Sequence, residues 1–286
     1  MKLGLCLSGG GVKGAAHIGA IKALEEEKMT FDILSGTSSG SIVAALYGAG
    51  YTPDEIYGLF QKYAKKIKYV DSKNIFKGIY GLLFKRKILI EGLNSGKILE
   101  KIVNEACAQK EIYNIKDFKI PILIPSVNLK DGSIYIFCSE LFRKTLSDNV
   151  NYINNVPIGR AVRASCSFPI IFEPCPYGKT KLIDGGVREN VPWKETKKLG
   201  ADKVLSIVFQ NELNENCCQN VIEVANRSLE ILEHELSNYE LEGADYLLKI
   251  RRKDVGLLDI DKLDELYELG YRQTKKEMNQ IKKIVL

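Results

Sequence analysis

The stretch GTSSGS, Gly36 to Ser41, sets a serine between two glycines, each two residues away. A G-x-S-x-G pattern that closes a buried strand fits a nucleophile elbow. In such an elbow small neighbours let a serine occupy a strained strand-to-helix turn. Gly36 and Gly40 are small, and the helix after Ser38 opens with Ser41, Ala44 and Ala45. A serine nucleophile needs a proton acceptor. The chain has two histidines, His17 and His234. Ser38, Asp184 and His234 follow the Ser, Asp, His order of α/β-hydrolases, but this elbow falls on the second strand, earlier than that fold places it. His234 also sits in SLEILEHELSNYELE, the middle of an acidic helical segment, where a solvated or salt-bridged residue is expected. His17 belongs to the first helix, in a packing or supporting role. Asp184, in KLIDGGVREN, ends a strand just before Gly185 and Gly186, where backbone can approach closely. An aspartate held within hydrogen-bond reach can take the serine proton directly, so Asp184 is the expected general base and Ser38 the expected nucleophile.

A second glycine turn lies upstream. SGGGVKG places Gly9, Gly10 and Gly11 between a strand and a helix that begins near Gly14. Glycines let successive N–H groups point inward, and the helix N-terminus adds partial positive charge. Such a loop can hold a phosphate or an oxyanion. It also fits G-x-G-x-x-G, but the second strand ends in Ser35-Gly36-Thr37 without the ribose-binding acid of a dinucleotide site, and no G-K-[ST] follows as a P-loop requires. The anion the loop suits best is a transient one beside Ser38.

These turns need strands and helices to place them. LGLCLS (3–8) and FDILS (31–35) are short apolar runs of the kind buried in parallel sheets, each followed by a glycine turn and a helical pattern. Further strands are predicted at 122–129, 133–138, 180–184, 203–208 and 246–251, with Asp131-Gly132 as a hairpin turn between two of them. Helices are predicted at 53–66, 95–109, 156–164, 190–199, 219–242 and 261–283. This alternation implies an α/β fold, a three-layer α/β/α sandwich on a mainly parallel central sheet. One domain over 1–286 is expected, its motif-bearing core at about 3–197, with the strands and helices of 203–286 completing it.

Bulk properties set limits. The chain has 286 residues, 45% of them hydrophobic, enough to bury a core without metal or disulfides. Seven cysteines without a C-x-x-C or a Cys/His cluster predict reduced thiols, no metal site and no cofactor. The opening apolar run is too short for a signal-peptide core, and no stretch approaches a membrane span. A cytoplasmic protein without a nucleic-acid partner is expected, its net charge of +5 permitting contact with an anionic surface. Residues 62–87 carry nine Lys/Arg against a single Asp71, interleaved with apolar and aromatic residues. The segment reads as a solvated basic face, or as a peripheral contact with anionic lipid or a flap over the site. Oligomeric state is not legible.

Four ordered blocks resemble the patatin-like phospholipases: SGGGVKGAAHIGAIKALEE, GTSSGS, AVRASCSFPIIFEP (with Ala164, Ser165 and Pro169) and DGGVRENVPW. The C-terminal ELGYRQ (268–273) and the absence of an appended domain resemble bacterial stand-alone members. The resemblance implies a patatin-like fold and a metal-free Ser38–Asp184 dyad. It also implies oxyanion stabilisation by the Gly10 and Gly11 amides, with Gly9 as a further donor, and Gly14, Gly36, Gly40, Gly185 and Gly186 as supporting glycines. Lys13 occupies the family's Arg/Lys position. The implied reaction is hydrolysis of phospholipid or lysophospholipid esters through an acyl-enzyme, releasing fatty acid. Three rival readings are a serine esterase or thioesterase using a Ser-His-Asp triad, a nucleotide-binding module built on the glycine loop, and an inactive relative that only binds lipid or protein.

Overall fold

Residues 1–64, 90–140, 149–211, 221–252, 255, 256 and 259–285 are described here by a computed structural model. The sequence begins with β1 (Leu3–Leu7), α1 (Gly14–Glu26), β2 (Ile33–Gly36) and α2 (Ser39–Gly48). β1 and β2 pair in parallel, from Gly4 opposite Ile33 to Leu7 opposite Gly36. Leu3, Leu5 and Leu7 pack into the main helical core, while Cys6 faces the opposite layer with Val191, Trp193 and Val204. Both faces of β1 are covered, which is why its sequence is apolar throughout.

Next come α3 (Pro53–Ala64), β3 (Gly92–Asn94), α4 (Lys97–Ala108), β4 (Ile122–Asn128), β5 (Ile134–Cys138), β6 (Val150–Ile153), α5 (Ile158–Ser165), β7 (Ile170–Phe172), β8 (Cys175–Tyr177) and β9 (Thr180–Asp184). The chain continues through α6 (Trp193–Lys198), β10 (Lys203–Asn211), α7 (Val221–Glu240), β11 (Tyr246–Arg252) and α8 (Leu263–Val285). The sheet runs β11-β10-β1-β2-β4-β5-β6, with β9 also paired to β4 and β8 to β9. It is parallel from β11 to β4, then mixed: β5 and β9 both run antiparallel to β4. The β4–β5 connection turns at Gly132 (φ +72°), with Asp131 accepting the Ser133 N–H at 2.9 Å. The C-terminal strands β10 and β11 extend the same sheet beside β1.

The expected α/β fold with a mainly parallel sheet is therefore the one observed, with helices on both faces. β3, β6, β7 and β8 escaped prediction because three or four residues carry no readable period. From residue 65 on, the basic 62–87 segment lies outside the described residues, and so does the expectation of a lid or lipid contact placed on it. Among the described residues, Cys6, Cys107, Cys138, Cys166 and Cys175 are free thiols, and no helix is long and apolar enough to cross a membrane.

Candidate active site

Both glycine turns emerge from the same ends of the adjacent strands β1 and β2. Thr37 N–H donates to the Leu7 carbonyl at 3.0 Å, so the chain is still tied to β1 as it leaves β2. The next residue, Ser38, has φ +51° and ψ −123°, and α2 starts immediately after it. A non-glycine residue in this region stores about 1–3 kcal/mol of strain. The turn closes only around glycines. A Cβ on Gly40 would lie 2.4 Å from the Leu7 carbonyl oxygen, and one on Gly36 would lie 2.4 Å from the Gly40 oxygen. Ser165, at the end of α5, accepts the Ser38 N–H at 3.0 Å, and the Ser41 hydroxyl donates to the Ser38 carbonyl at 2.6 Å. The elbow is thus held from two sides.

Asp184 ends β9 and is 1% exposed. Its N–H donates to Ser167 just beyond α5, so one short helix braces both the elbow and the aspartate. Asp184 Oδ1 accepts the Gly186 N–H at 2.8 Å, whereas the buried Oδ2 accepts no hydrogen bond. Burial pushes the Asp184 carboxyl up to about 7, opposed by the Gly186 amide and by the nearby Ser38 hydroxyl, which both favour the ionised form. Ser38 and Asp184 line one cavity of about 170 Å³, together with Gly10 and Gly11. The rest of its wall is largely apolar, including Leu46, Phe60, Val103, Phe168 and Ile171.

The three loop glycines separate into two roles. Gly10 and Gly11 face the Ser38 cavity, in front of the short 3₁₀ turn Gly11–Lys13 that leads into α1. The Gly9 N–H donates instead to Asn190 Oδ1 at 2.8 Å. This amide, expected as a further oxyanion donor, here anchors the loop to the block that follows Asp184. Lys13 is 4% exposed, so its ammonium lies inside the protein. Burial lowers its pKa, while Glu230 and Glu233 act in the opposite sense.

His17 is fully buried one turn into α1. Its Nε2 lies 2.9 Å from the Ser8 carbonyl, to which it donates, and its ring packs against Phe209 with centroids 4.5 Å apart. Burial holds its pKa down at about 4, so it is neutral and supports the strand end that carries the glycine loop. Backbone at His234 lies in α7, but a base at its side chain falls outside the described residues.

The sequence reading passed over two glutamates of α7. Glu233 lines the Ser38 cavity, and Glu240 accepts the Asn190 and Val191 N–H groups at 3.1–3.2 Å. A helix of evenly spread acids reads as a solvated face, and only the fold turns these two inward.

The sequence family model for patatin-like phospholipases matches residues 5–197. The chain belongs to this family. The protein YqhO of Bacillus subtilis is 34% identical over 197 residues, which make up 67% of this chain and 66% of YqhO. The lysophospholipase NTE1 of Debaryomyces hansenii is 29% identical over 205 residues, 72% of this chain but 12% of NTE1, so the chain corresponds to a small part of that protein. In three dimensions the human GIVD cytosolic phospholipase A2, solved with methyl gamma-linolenyl fluorophosphonate, superposes with a TM-score of 0.53 at 12% identity, covering 99% of this chain and 59% of the enzyme. That likeness establishes the shared fold. Membership of the patatin-like phospholipases supports lipid ester hydrolysis as the reaction class. α7 and its two inward glutamates lie beyond the span that matches the family model.

Proposed function

We propose that the protein hydrolyses the carboxylic ester of a phospholipid or lysophospholipid through a Ser38–Asp184 dyad. The carrying observation is the convergence in one apolar-walled cavity of a strained serine, a buried carboxylate with an unoccupied Oδ2, and the Gly10–Gly11 loop. The apolar wall suits an acyl chain and sets its carbonyl carbon beside Ser38. Ser38 Oγ attacks that carbon as Asp184 takes the hydroxyl proton. The carbonyl oxygen becomes an oxyanion stabilised by the Gly10 and Gly11 amides, aided by the positive end of α1. When the tetrahedral intermediate collapses, the alcohol half of the lipid leaves with the proton from Asp184, and the acyl group stays on Ser38. A water molecule then attacks the acyl-enzyme and gives a proton to Asp184. Fatty acid departs as Ser38 recovers its hydrogen.

No histidine is required for this sequence, and the one with a described side chain, His17, is turned to the Ser8 carbonyl. The similarity to the lysophospholipase NTE1 supports a lipid substrate. The test is reaction with an alkyl fluorophosphonate followed by peptide mapping, beside a panel of acyl esters. The expected result is a single adduct on the Ser38 peptide and release of fatty acid from phospholipid or lysophospholipid, both abolished by Ser38→Ala. An adduct elsewhere, or turnover by Ser38→Ala, would overturn the proposal.

A further inference from the structure

α7 brings a third carboxyl to the site. The same point beside Gly186, where a side-chain Cβ would begin, lies 2.9 Å from Glu233 Oε1 and 3.2 Å from Asp184 Oδ1. The two oxygens are therefore within about 6 Å of each other, a separation at which like charges resist ionising together. Gly186 leaves open the space between the two carboxyls, which a side chain there would crowd. Glu233 also shares the cavity with Ser38 and Gly10, so its charge is felt where negative charge develops during acyl transfer.

We propose that Glu233 is a positioning residue that forms an acid pair with Asp184 and holds the pair's shared proton, leaving Asp184 ionised for Ser38 at neutral pH. The inference rests on the Ser38–Asp184 reading and adds to it a residue that the glycine, serine and aspartate blocks do not contain. With its proton, Glu233 is neutral beside the oxyanion loop. Once it ionises, a second negative charge faces the developing oxyanion and acyl transfer slows. The groups around it set the balance. Burial and the carboxyls of Asp184, Glu230 and Glu240 favour the protonated form, and Lys13 favours the ionised one. Lys249 of β11 lines the polar cleft on the far side of Glu233, together with Lys13 and Glu230. Burial raises both carboxyls, and the charge of Asp184 raises Glu233 further, which favours the proton on the glutamate.

The pair titrates as a unit, so the readout is a pH profile. The experiment measures the second-order rate of fluorophosphonate inactivation from pH 5 to pH 10, for the wild type, Glu233→Gln and Glu233→Asp, with melting temperatures as a check on folding. The wild type is expected to show an acid limb and an alkaline limb, its rate falling about fivefold to tenfold between pH 7.5 and pH 9. Glu233→Gln, an isosteric mimic of the protonated acid, should keep the acid limb and lose the alkaline fall. Glu233→Asp should restore an alkaline limb, displaced in pH. A wild-type profile that stays flat to pH 10 overturns the proposal without reference to any variant. So does an alkaline limb that is the same in Glu233→Gln. Either of those results leaves the dyad standing, whereas inactivation that persists in Ser38→Ala or Asp184→Asn removes the dyad and this proposal together.

Discussion

Asn190 Oδ1 accepts the Gly9 N–H at 2.8 Å, although 181 residues separate the two. The Asn190 side chain also donates to Ser237 Oγ at 3.1 Å, and its own N–H is held by Glu240. One amide thus joins the glycine loop, the segment after Asp184 and α7. Asn190→Ala frees the Gly9 amide and lets the loop relax. A displacement on the order of 1 Å at such a loop costs about a hundredfold in rate. The expected outcome is a fall in kcat of about ten- to a hundredfold, with roughly 1–3 kcal/mol of stability lost through the unpaired buried amide. Steady-state kinetics on an acyl ester together with a denaturant melt read both quantities. A variant that loses stability but keeps full kcat would show that the tether only holds the fold.

The proposed base makes a prediction about acid sensitivity. Burial raises the Asp184 carboxyl to about 7, and only its ionised form can take the Ser38 proton. Activity should therefore fall as pH drops through about 7, a position that on its own would resemble a histidine. His17 cannot be its source, because burial holds that imidazole near 4. The kcat/KM profile of a His17→Gln, His234→Ala double variant should keep the acid limb of the wild type. Asp184→Asn, which retains the shape of the carboxyl but cannot accept the proton, should lose about 10⁴-fold in kcat. A limb that vanishes with the two histidines would point to an imidazole base.

The parts of this site that sequence could reveal are those where the backbone itself is specialised. Gly36, Gly40 and the Gly9–Gly11 run announce turns that close against neighbouring carbonyls or expose amides, and short-range chemistry of that kind is written in consecutive residues. The edges of the sheet were less legible. β6 and β8 are too brief for a period, and the reversal of β9 beside β4 depends on pairing between residues more than fifty positions apart. The different fate of the Gly9 amide is invisible for the same reason, since its partner Asn190 arrives from the other end of the matched region. Glu233 and Glu240 look like members of an ordinary charged helix until α7 is laid against the Asp184 turn.

Buried ionisable groups also tie stability to pH. Burial raises the carboxyls of Asp184 and Glu240 to about 7 and those of Glu189 and Glu233 to about 8. A group whose pKa is raised on folding stabilises the native state fully below its unfolded value, near 4, and loses that contribution as pH rises through its folded value. His17 is depressed and acts in the opposite sense, losing its contribution as pH falls from about 6.5 towards 4. Four acids oppose one imidazole, so the melting temperature is expected to decrease by several degrees between pH 6 and pH 8.5 and to level off above that. Scanning calorimetry across this range reads it directly. A melting temperature that stays level or climbs over the same interval would mean these carboxyls are already ionised in the folded protein.

The helices that carry the site are locked by a crossing that tolerates no side chain. α1 and α8 approach so closely that a Cβ on Gly19 would lie 2.0 Å from the Tyr267 carbonyl oxygen, and one on Gly270 would lie 2.0 Å from the Ala16 oxygen. Backbone atoms cannot rotate out of the way as a flexible side chain can. Gly19→Ala or Gly270→Ala must therefore drive the two helices apart, and overpacking of this kind costs about 1–3 kcal/mol, offset only in small part by alanine's better helix propensity. Gly270 lies within ELGYRQ, so its place in that stretch has a packing cause. Because α1 also presents the glycine loop at its N-terminus, the displacement should reach the site from Gly19 more strongly than from Gly270. The expected outcome is a comparable loss of stability in both variants by chemical denaturation, with a larger fall in kcat/KM for Gly19→Ala. Two variants of wild-type stability would mean that the helices can separate freely at this crossing, and the close approach would then have no role in setting the loop.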